Sequence, residues 1–201
     1  MSLTLDLLRH GEPLGGPRYR GQTDDPLCGR GWLQMHRAVA GRGPWRRIHS
    51  SPLRRCREFA ERLARRQGIP LRIDDDMSEI DFGRWEGRTA AQLLRREAEA
   101  LVRFWRDPVG HTPHGGESLT DFRERIVAAW QALLRELPRE GRVLMIGHGG
   151  SIRIVLHHVL GIPLPKLQQI ELPYACLTQL RVDWHDDEAN VRLAAHGDSR
   201  P

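Results

Sequence analysis

Short apolar runs alternate along the chain with longer segments whose apolar positions recur at helical spacing. The short runs are bounded by Gly, Pro or charged residues, which is typical of strands. They are 3–8, 46–50, 70–74, 142–147, 177–184 and 190–195. The last two are predicted to be edge strands at the end of the chain.

The longer segments predict amphipathic helices. These segments are 31–40, 52–66, 89–105, 118–137 and 149–160. Ser50-Ser51 followed by Pro52 predicts a serine cap with proline early in the helix, and Ser118 predicts a second capped start. Alternating strands and helices predict an α/β fold: a three-layer α/β/α sandwich with a mostly parallel central sheet and an antiparallel edge strand.

The length of the chain limits its organisation. At 201 residues we expect one domain over 1–201, with 185–201 as a loose tail. The apolar run 3–8 is too short for a membrane span or an export signal, so we expect a cytoplasmic protein. Three widely separated cysteines predict neither a disulfide framework nor a thiolate metal site. They are Cys28, Cys56 and Cys176.

The basic residues are nearly all arginines. Of the 31 Lys and Arg residues only Lys166 is a lysine, and the net charge is +5. An arginine excess favours bidentate contacts to phosphate or carboxylate, on a polymer or on a small metabolite. Because the arginines are scattered over every predicted helix with no basic tract, a nucleic-acid-binding module is disfavoured.

Three polar clusters follow directly after predicted strands. They are Arg9-His10-Gly11, Ser50-Ser51-Pro52 and Gly147-His148-Gly149-Gly150. The carboxyl ends of parallel strands meet at one edge of a sheet, and ligands of such sheets bind there. We therefore expect the three clusters to form one site.

The residue types in these clusters suit phosphoryl transfer. A neutral imidazole such as His10 is nucleophilic and can attack phosphorus. Arg55, in the first turn of a predicted helix, can reach over the strand tips to join Arg9 and His148. Two guanidiniums and two imidazoles around one point fit a group that spreads negative charge over three oxygens.

Transfer from an ester also requires an acid that protonates the departing oxygen. The segment 77–87 offers the carboxylates of Glu79, Asp81 and Glu86. We select Glu79 as the acid, because a carboxylate beside a phosphate dianion holds a proton more tightly. Asp81 and Glu86 are interpreted as members of a solvated acidic loop.

Six ordered motifs connect these residues across 3–160. They are Leu8-Arg9-His10-Gly11-Glu12, Tyr19-Arg20-Gly21-Gln22, Ser50-Ser51-Pro52-Leu53-Arg54-Arg55-Cys56, Glu79 with Phe82-Gly83-Arg84-Trp85-Glu86-Gly87, Gly116-Glu117-Ser118 and Gly147-His148-Gly149-Gly150. Together they resemble the histidine phosphatase superfamily, which has the phosphoglycerate mutase-like fold.

The resemblance implies a role for each catalytic candidate. His10 becomes phosphorylated, while Arg9, Arg55 and His148 bind the transferred phosphoryl group. Glu79 donates the proton and later activates water. The resemblance implies no metal and no other cofactor.

Substrate-binding residues are predicted at Gly11, Gly21, Gln22 and Gly149. Many superfamily members follow the first motif with a Ser or Thr and then an Asn that touches the phosphate. This chain has Pro13-Leu14-Gly15-Gly16-Pro17 there, so the amide of Gln22 is a candidate replacement.

The leading expectation is a metal-independent phosphomonoesterase that acts on a small phosphorylated metabolite through a phosphohistidine. The motif at 19–22 looks most similar to α-ribazole phosphatase-like members, which remove a 5′-phosphate in cobalamin synthesis. A phosphoglycerate mutase-type enzyme and a sugar-phosphate phosphatase are the alternatives. A nucleic-acid-binding protein or a non-catalytic phosphate-ligand-binding protein would be a different class.

We expect no nucleic-acid and no membrane partner, and the oligomeric state is left open, with a homodimer as one option. Substrate choice is expected to depend on 14–25 and 84–117.

Overall fold

Six strands form one mixed sheet in the computed structural model, which describes residues 2–186 and 188–197. They are β1 (Ser2–Arg9), β2 (Arg47–Ser50), β3 (Leu71–Ile73), β4 (Gly141–Gly147), β5 (Leu177–His185) and β6 (Glu188–His196). The spatial order is β3-β2-β4-β1-β5-β6. The pairs β3–β2, β2–β4 and β4–β1 are parallel, whereas β1–β5 and β5–β6 are antiparallel. The predicted α/β fold with a mostly parallel sheet is confirmed.

The α-helices cover both faces of this sheet. They are α1 (Gly29–Val39), α2 (Arg54–Gln67), α3 (Ala90–Arg96), α4 (Ala98–Arg106), α5 (Leu119–Glu136) and α6 (Gly149–Leu160). Within the described ranges, no helix is long and apolar enough to cross a membrane.

Side chains alternate between the two faces along β1, and this alternation builds two cores. Leu3, Leu5 and Leu7 pack with residues of α5 and α6, among them Phe122, Ile126, Trp130 and Ile152. Leu8 packs on the opposite face with residues of α1 and α2, among them Met35 and Phe59. Because helices pack on both faces of the sheet, the predicted three-layer arrangement is present.

Two predictions about helices are wrong. The single helix expected over 89–105 is divided into α3 and α4, because Glu97 leaves the helical conformation (φ −142°, ψ 38°). The apolar spacing hides this break, since Leu93 and Leu101 pack in the same small core on either side of it. The serine cap expected with Pro52 early in the helix is also wrong: α2 begins at Arg54, and its N-cap is Leu53, whose side chain makes no capping hydrogen bond. The Ser51 hydroxyl accepts a hydrogen bond from the Leu53 amide at 3.3 Å, before the helix starts.

Other predictions at element ends have mixed outcomes. Ser118 caps α5 as expected, since its hydroxyl accepts a hydrogen bond from the Asp121 amide at 3.0 Å. The edge strand predicted over 190–195 is confirmed as β6 (Glu188–His196), which pairs with β5, so the loose tail expected over 185–201 is wrong for these residues. Residues 198–201 lie outside the described part of the chain.

A buried carboxylate joins the three central strands. Asp6 on β1 is fully buried and accepts hydrogen bonds from Arg142 on β4 at 2.5 and 3.0 Å and from Gln179 on β5 at 3.2 Å. The Trp45 indole donates to the same carboxylate at 2.7 Å. Because a slip of one residue would turn every β1 side chain to the wrong face, these bonds fix the register that the site depends on.

We expect Asp6→Ala to lower the free energy of unfolding by about 3 kcal/mol, because it leaves the Arg142 guanidinium and the Trp45 indole without their acceptor. Urea unfolding measures the change. The matched control is Asp183→Ala, which removes a surface ion pair with Arg192 and should change stability little. Equal losses in the two variants would contradict the assignment.

Candidate active site

The two predicted imidazoles meet at the carboxyl edge of the sheet. Arg9 pairs with Gly147 in the parallel register of β1 and β4, so His10 and His148 each follow directly after one of two neighbouring strands. Their ring centroids are 5.3 Å apart, and both side chains are buried. The expectation that distant parts of the sequence converge here is confirmed.

His10 is held in a defined orientation and charge state. Its Nδ1 lies 2.7 Å from the carbonyl oxygen of Gly11, and because a carbonyl oxygen can only accept a hydrogen bond, Nδ1 carries the proton and is the donor. This tautomer leaves the lone pair on Nε2. Burial, followed by the charges of Arg55 and Arg9, holds the pKa of His10 well below its ordinary value. The ring is therefore a neutral base and nucleophile.

His148 is oriented by two residues that the sequence did not single out for this purpose. Its Nε2 lies 2.7 Å from the Ser51 hydroxyl, and the Cys56 sulfur lies against the ring at 3.7 Å. Burial raises the pKa of the Cys56 thiol to about 12, so this sulfur stays protonated. Burial, then Arg55 and His10, lowers the pKa of His148 well below its ordinary value.

Arg55, in the first turn of α2 as expected, is completely buried beside these rings. One terminal nitrogen donates to the Thr23 carbonyl at 2.7 Å and the other to the Gly21 carbonyl at 2.8 Å. Its Nε has no hydrogen-bond partner within the described ranges. Burial lowers the pKa of Arg55, because the positive charge loses its contact with water and the surrounding groups do not fully replace it.

Arg9 repeats this arrangement from the end of β1. Its Nη1 donates to the Leu172 carbonyl, and its guanidinium lies 4.5 Å from the centre of the Tyr174 ring. Its buried Nε likewise lacks a partner in the part of the chain that is described. The site thus contains two buried guanidiniums that each have an Nε–H group without an acceptor in the described residues.

Glu79 lies opposite these cations, with a side chain that is 8% exposed. Its Oε2 accepts a hydrogen bond from the Gly150 amide at 2.8 Å, and its Oε1 accepts one from its neighbour Ile80 at 3.0 Å. The start of α6 therefore gives its Gly150 amide to a carboxylate of the protein. A Cβ on Gly150 would stand 2.1 Å from Glu79 Oε1, so only glycine leaves room for this contact.

The four predicted substrate-binding residues separate into two groups. Gly149 lines the cavity described below. Gly11 and Gly21 pack instead against backbone, because an added Cβ would stand 2.3 Å from the Gly31 carbonyl oxygen and 1.7 Å from that of Ile80. The Gln22 amide, expected to touch phosphate, donates to the Glu79 carbonyl at 2.6 Å and so positions the main chain of the acid.

Glu86 has a structural role that the sequence interpretation missed. Its carboxylate accepts hydrogen bonds from the backbone amides of Gly21, Gln22, Thr23 and Phe82. Burial would raise its pKa, but hydrogen bonds, led by that of the Thr23 hydroxyl, outweigh burial and lower the pKa of Glu86. The expectation of a solvated carboxylate was wrong, since Glu86 joins the loop 21–23 to the segment that contains Glu79.

A cavity of about 260 Å³ lies beside this polar cluster. Arg9, Glu79, Gly149 and Gly150 belong to its lining, and Arg9 and Gly149 are the chain neighbours of His10 and His148. Both segments expected to govern substrate choice contribute to its wall. Their contributions are Arg18, Tyr19, Arg20, Phe104 and Pro108. Among residues 2–186 and 188–197, no three His, Cys, Asp or Glu side chains are grouped so that they could hold a metal ion.

Comparison with solved structures finds the same fold in phosphatases. A mycobacterial glucosyl-3-phosphoglycerate phosphatase superposes with a TM-score of 0.85 at 30% identity, over 99% of this chain and 100% of that one. In complex with inorganic phosphate, the same enzyme superposes with a TM-score of 0.82. The alpha-ribazole phosphatase from Shigella flexneri gives a TM-score of 0.80 over 94% of this chain and 95% of that one, and at 24% identity this likeness concerns the fold alone.

Comparison with curated proteins extends the likeness to sequence. A bifunctional protein of Mycobacterium tuberculosis is 34% identical in an alignment of 199 positions that covers 93% of this chain and 52% of the relative. The chain thus spans about half the length of this relative. Residues 5–195 match the histidine phosphatase superfamily (branch 1). On this match, the chain belongs to the histidine phosphatase superfamily.

Proposed function

We propose that this chain is a metal-independent phosphomonoesterase that hydrolyses a small phosphate ester through a phosphohistidine at His10. The observation behind the proposal is the pair of buried, unpartnered Nε–H groups of Arg9 and Arg55 in the described site, next to two neutral imidazoles. A phosphoryl group supplies the acceptor oxygens and the negative charge that this arrangement is missing. The family and its phosphatase-named members support the same activity.

His10 acts as the nucleophile in the first half of the reaction. Its Nε2 lone pair attacks phosphorus, and the N–P bond forms while the P–O bond to the alcohol breaks. The hydrogen bond from Nδ1–H to the Gly11 carbonyl holds the ring and stabilises the positive charge that develops on it. Arg9, Arg55 and His148 bind the equatorial oxygens, where the charge of the transition state is spread.

Glu79 handles the proton in both halves. In the first half it donates a proton to the departing oxygen, so that a neutral alcohol leaves. In the second half it accepts a proton from water as the water attacks the phosphohistidine, which releases inorganic phosphate and restores His10. The Gly150 amide and the neighbouring Ile80 amide hold the carboxyl in place for both transfers.

The reaction class does not determine which phosphate ester is the substrate. α-Ribazole 5′-phosphate, and with it a place in cobalamin biosynthesis, is one candidate and rests on the motif at 19–22. A phosphoglycerate mutase-type enzyme or a sugar-phosphate phosphatase would use the same polar cluster and differ in how the adjoining cavity holds the rest of the substrate. Comparing kcat/KM for α-ribazole 5′-phosphate, 3-phosphoglycerate and sugar phosphates separates these candidates.

We expect His10→Ala to lower phosphate release from an aryl phosphate by at least about 1,000-fold in excess chelator, because the nucleophile is lost. Glu79→Gln should lower kcat/KM about 100-fold for an alkyl phosphate and less for the aryl ester, whose leaving group needs less protonation. Asp81→Asn, on the same loop, is the matched control and should retain activity. Full activity of either the His10 or the Glu79 variant would contradict the role proposed for that residue.

The covalent intermediate has its own test. Brief reaction with a phosphorus-32-labelled ester should label the wild-type protein with a phosphoryl group that is stable in alkali and labile in acid, as a phosphohistidine is. Glu79→Gln should accumulate this label, because water attack is slowed, and His10→Ala should take up none. Equal labelling of His10→Ala and wild type would show that the phosphoryl group is transferred to another residue.

The lowered pKa values of His10 and His148 predict how stability changes with pH. The unfolded chain takes up protons on these side chains near pH 6.5, whereas the folded protein does so only at lower pH. The free energy of unfolding should therefore decline as pH falls below about 6.5, and His10→Asn should weaken that decline. Nitrogen-15 NMR should show both rings neutral at pH 6; titration of either ring with a midpoint near 6.5 would contradict the burial argument.

A further inference from the structure

Arg153 is a cation in the cavity wall that the proposed chemistry does not use. It lies on α6, one turn after Gly149, and it lines the cavity beside the polar cluster. Its Nε donates to the Ile170 carbonyl at 3.0 Å, which fixes the guanidinium against the wall. Its two terminal nitrogens have no hydrogen bond or carboxylate ion pair within residues 2–186 and 188–197.

This guanidinium lies close to a second positive charge, the guanidinium of Arg9. Arg153 Nη1 and Arg9 Nε stand 3.1 and 3.4 Å from the point where a Cβ on Gly149 would lie. Burial first, and then Arg9, lowers the pKa of Arg153. Glu79 is the single carboxylate in the described lining, so positive charge predominates in the cavity.

The two cavity arginines of the segment 14–25 already have partners. Arg20 forms an ion pair with Asp25 at 2.8 Å, and Arg18 donates to the carbonyls of Gly15 and Gly87. These bonds hold the loop that forms one wall. Arg153 differs from both, because its terminal N–H groups remain available to a ligand.

We propose that the natural substrate carries a second anionic group, a carboxylate or a second phosphate, and that Arg153 binds this group. The inference rests on the proposed function, since Arg9, Arg55 and the imidazoles are assigned to the reacting phosphoryl group. The remaining volume, bordered by Phe82, Phe104 and Phe122, holds the carbon body. An ester whose other end is neutral, such as α-ribazole 5′-phosphate, leaves Arg153 without an anion and is disfavoured.

Two matched pairs of probes test this assignment. Glycerol 3-phosphate and 3-phosphoglycerate differ by a carboxylate, and fructose 6-phosphate and fructose 1,6-bisphosphate differ by a phosphate. Each is measured as a competitive inhibitor of aryl phosphate hydrolysis, so that the inhibition constant is obtained whether or not the probe is hydrolysed. In wild type, the doubly anionic member of at least one pair should bind about 10-fold or more tightly than its partner. The pair that shows the preference identifies the second anion.

In Arg153→Gln, the ratio of the two inhibition constants within that pair should fall close to one. Arg153→Lys should restore part of the preference, because lysine returns the positive charge without the planar guanidinium. Arg66→Gln, which removes an exposed charge on α2, should leave the ratio unchanged and controls for the net charge. Thermal unfolding verifies that each variant folds. A wild-type ratio near one for both pairs overturns the proposal, and so does a ratio that survives in Arg153→Gln.

Two further outcomes separate this inference from the proposed function. If Arg153→Gln weakens the binding of both members of a pair equally, Arg153 binds the reacting phosphoryl group, and the proposal of a second anionic group is wrong. If wild type hydrolyses no aryl phosphate, the proposed function is wrong. Calorimetric binding of the same probe pairs then still decides whether Arg153 selects the doubly anionic member.

Discussion

The parallel register between β1 and β4 is the constraint on which the site depends. It sets Arg9 opposite Gly147, so that the residues after both strands emerge side by side at one edge of the sheet. The Asp6 carboxylate fixes this register from within the sheet by binding side chains on both neighbouring strands. The two imidazoles are therefore brought together by backbone pairing and a buried polar contact, far more rigidly than two loops would hold them.

Around that edge the protein gathers positive charge without fully neutralising it. Arg9 and Arg55 are buried, and each uses carbonyl oxygens for some of its N–H groups. Carbonyl oxygens orient a guanidinium but carry no formal charge to balance it, so a bound anion gains more here than it would at an exposed arginine. Burial, together with these same positive charges, lowers the pKa of both imidazoles. Under the proposed mechanism, the charges that attract a phosphate ester would therefore also keep the attacking nitrogen unprotonated.

Sequence reasoning succeeded where a residue's place follows from one strand or helix, and it failed where the partner lies far away along the chain. His10, His148 and Arg55 follow strand ends or open a helix, so topology alone predicts their meeting. Glu86 and Gln22 could not be assigned in this way, because each binds backbone groups more than 50 residues distant. The break at Glu97 was hidden because both halves present apolar residues to one core.

The absent side chain at Gly150 has a consequence for how this site can change. The carboxyl of Glu79 occupies the space that any larger residue would fill at the second position of α6. Mutation of this glycine would therefore displace the carboxyl of Glu79, the proposed proton donor, while His10 and both guanidiniums stay where they are. Under the proposed mechanism, such a protein would still bind phosphate esters but would hydrolyse them slowly, so a single methyl group would decide between turnover and binding alone.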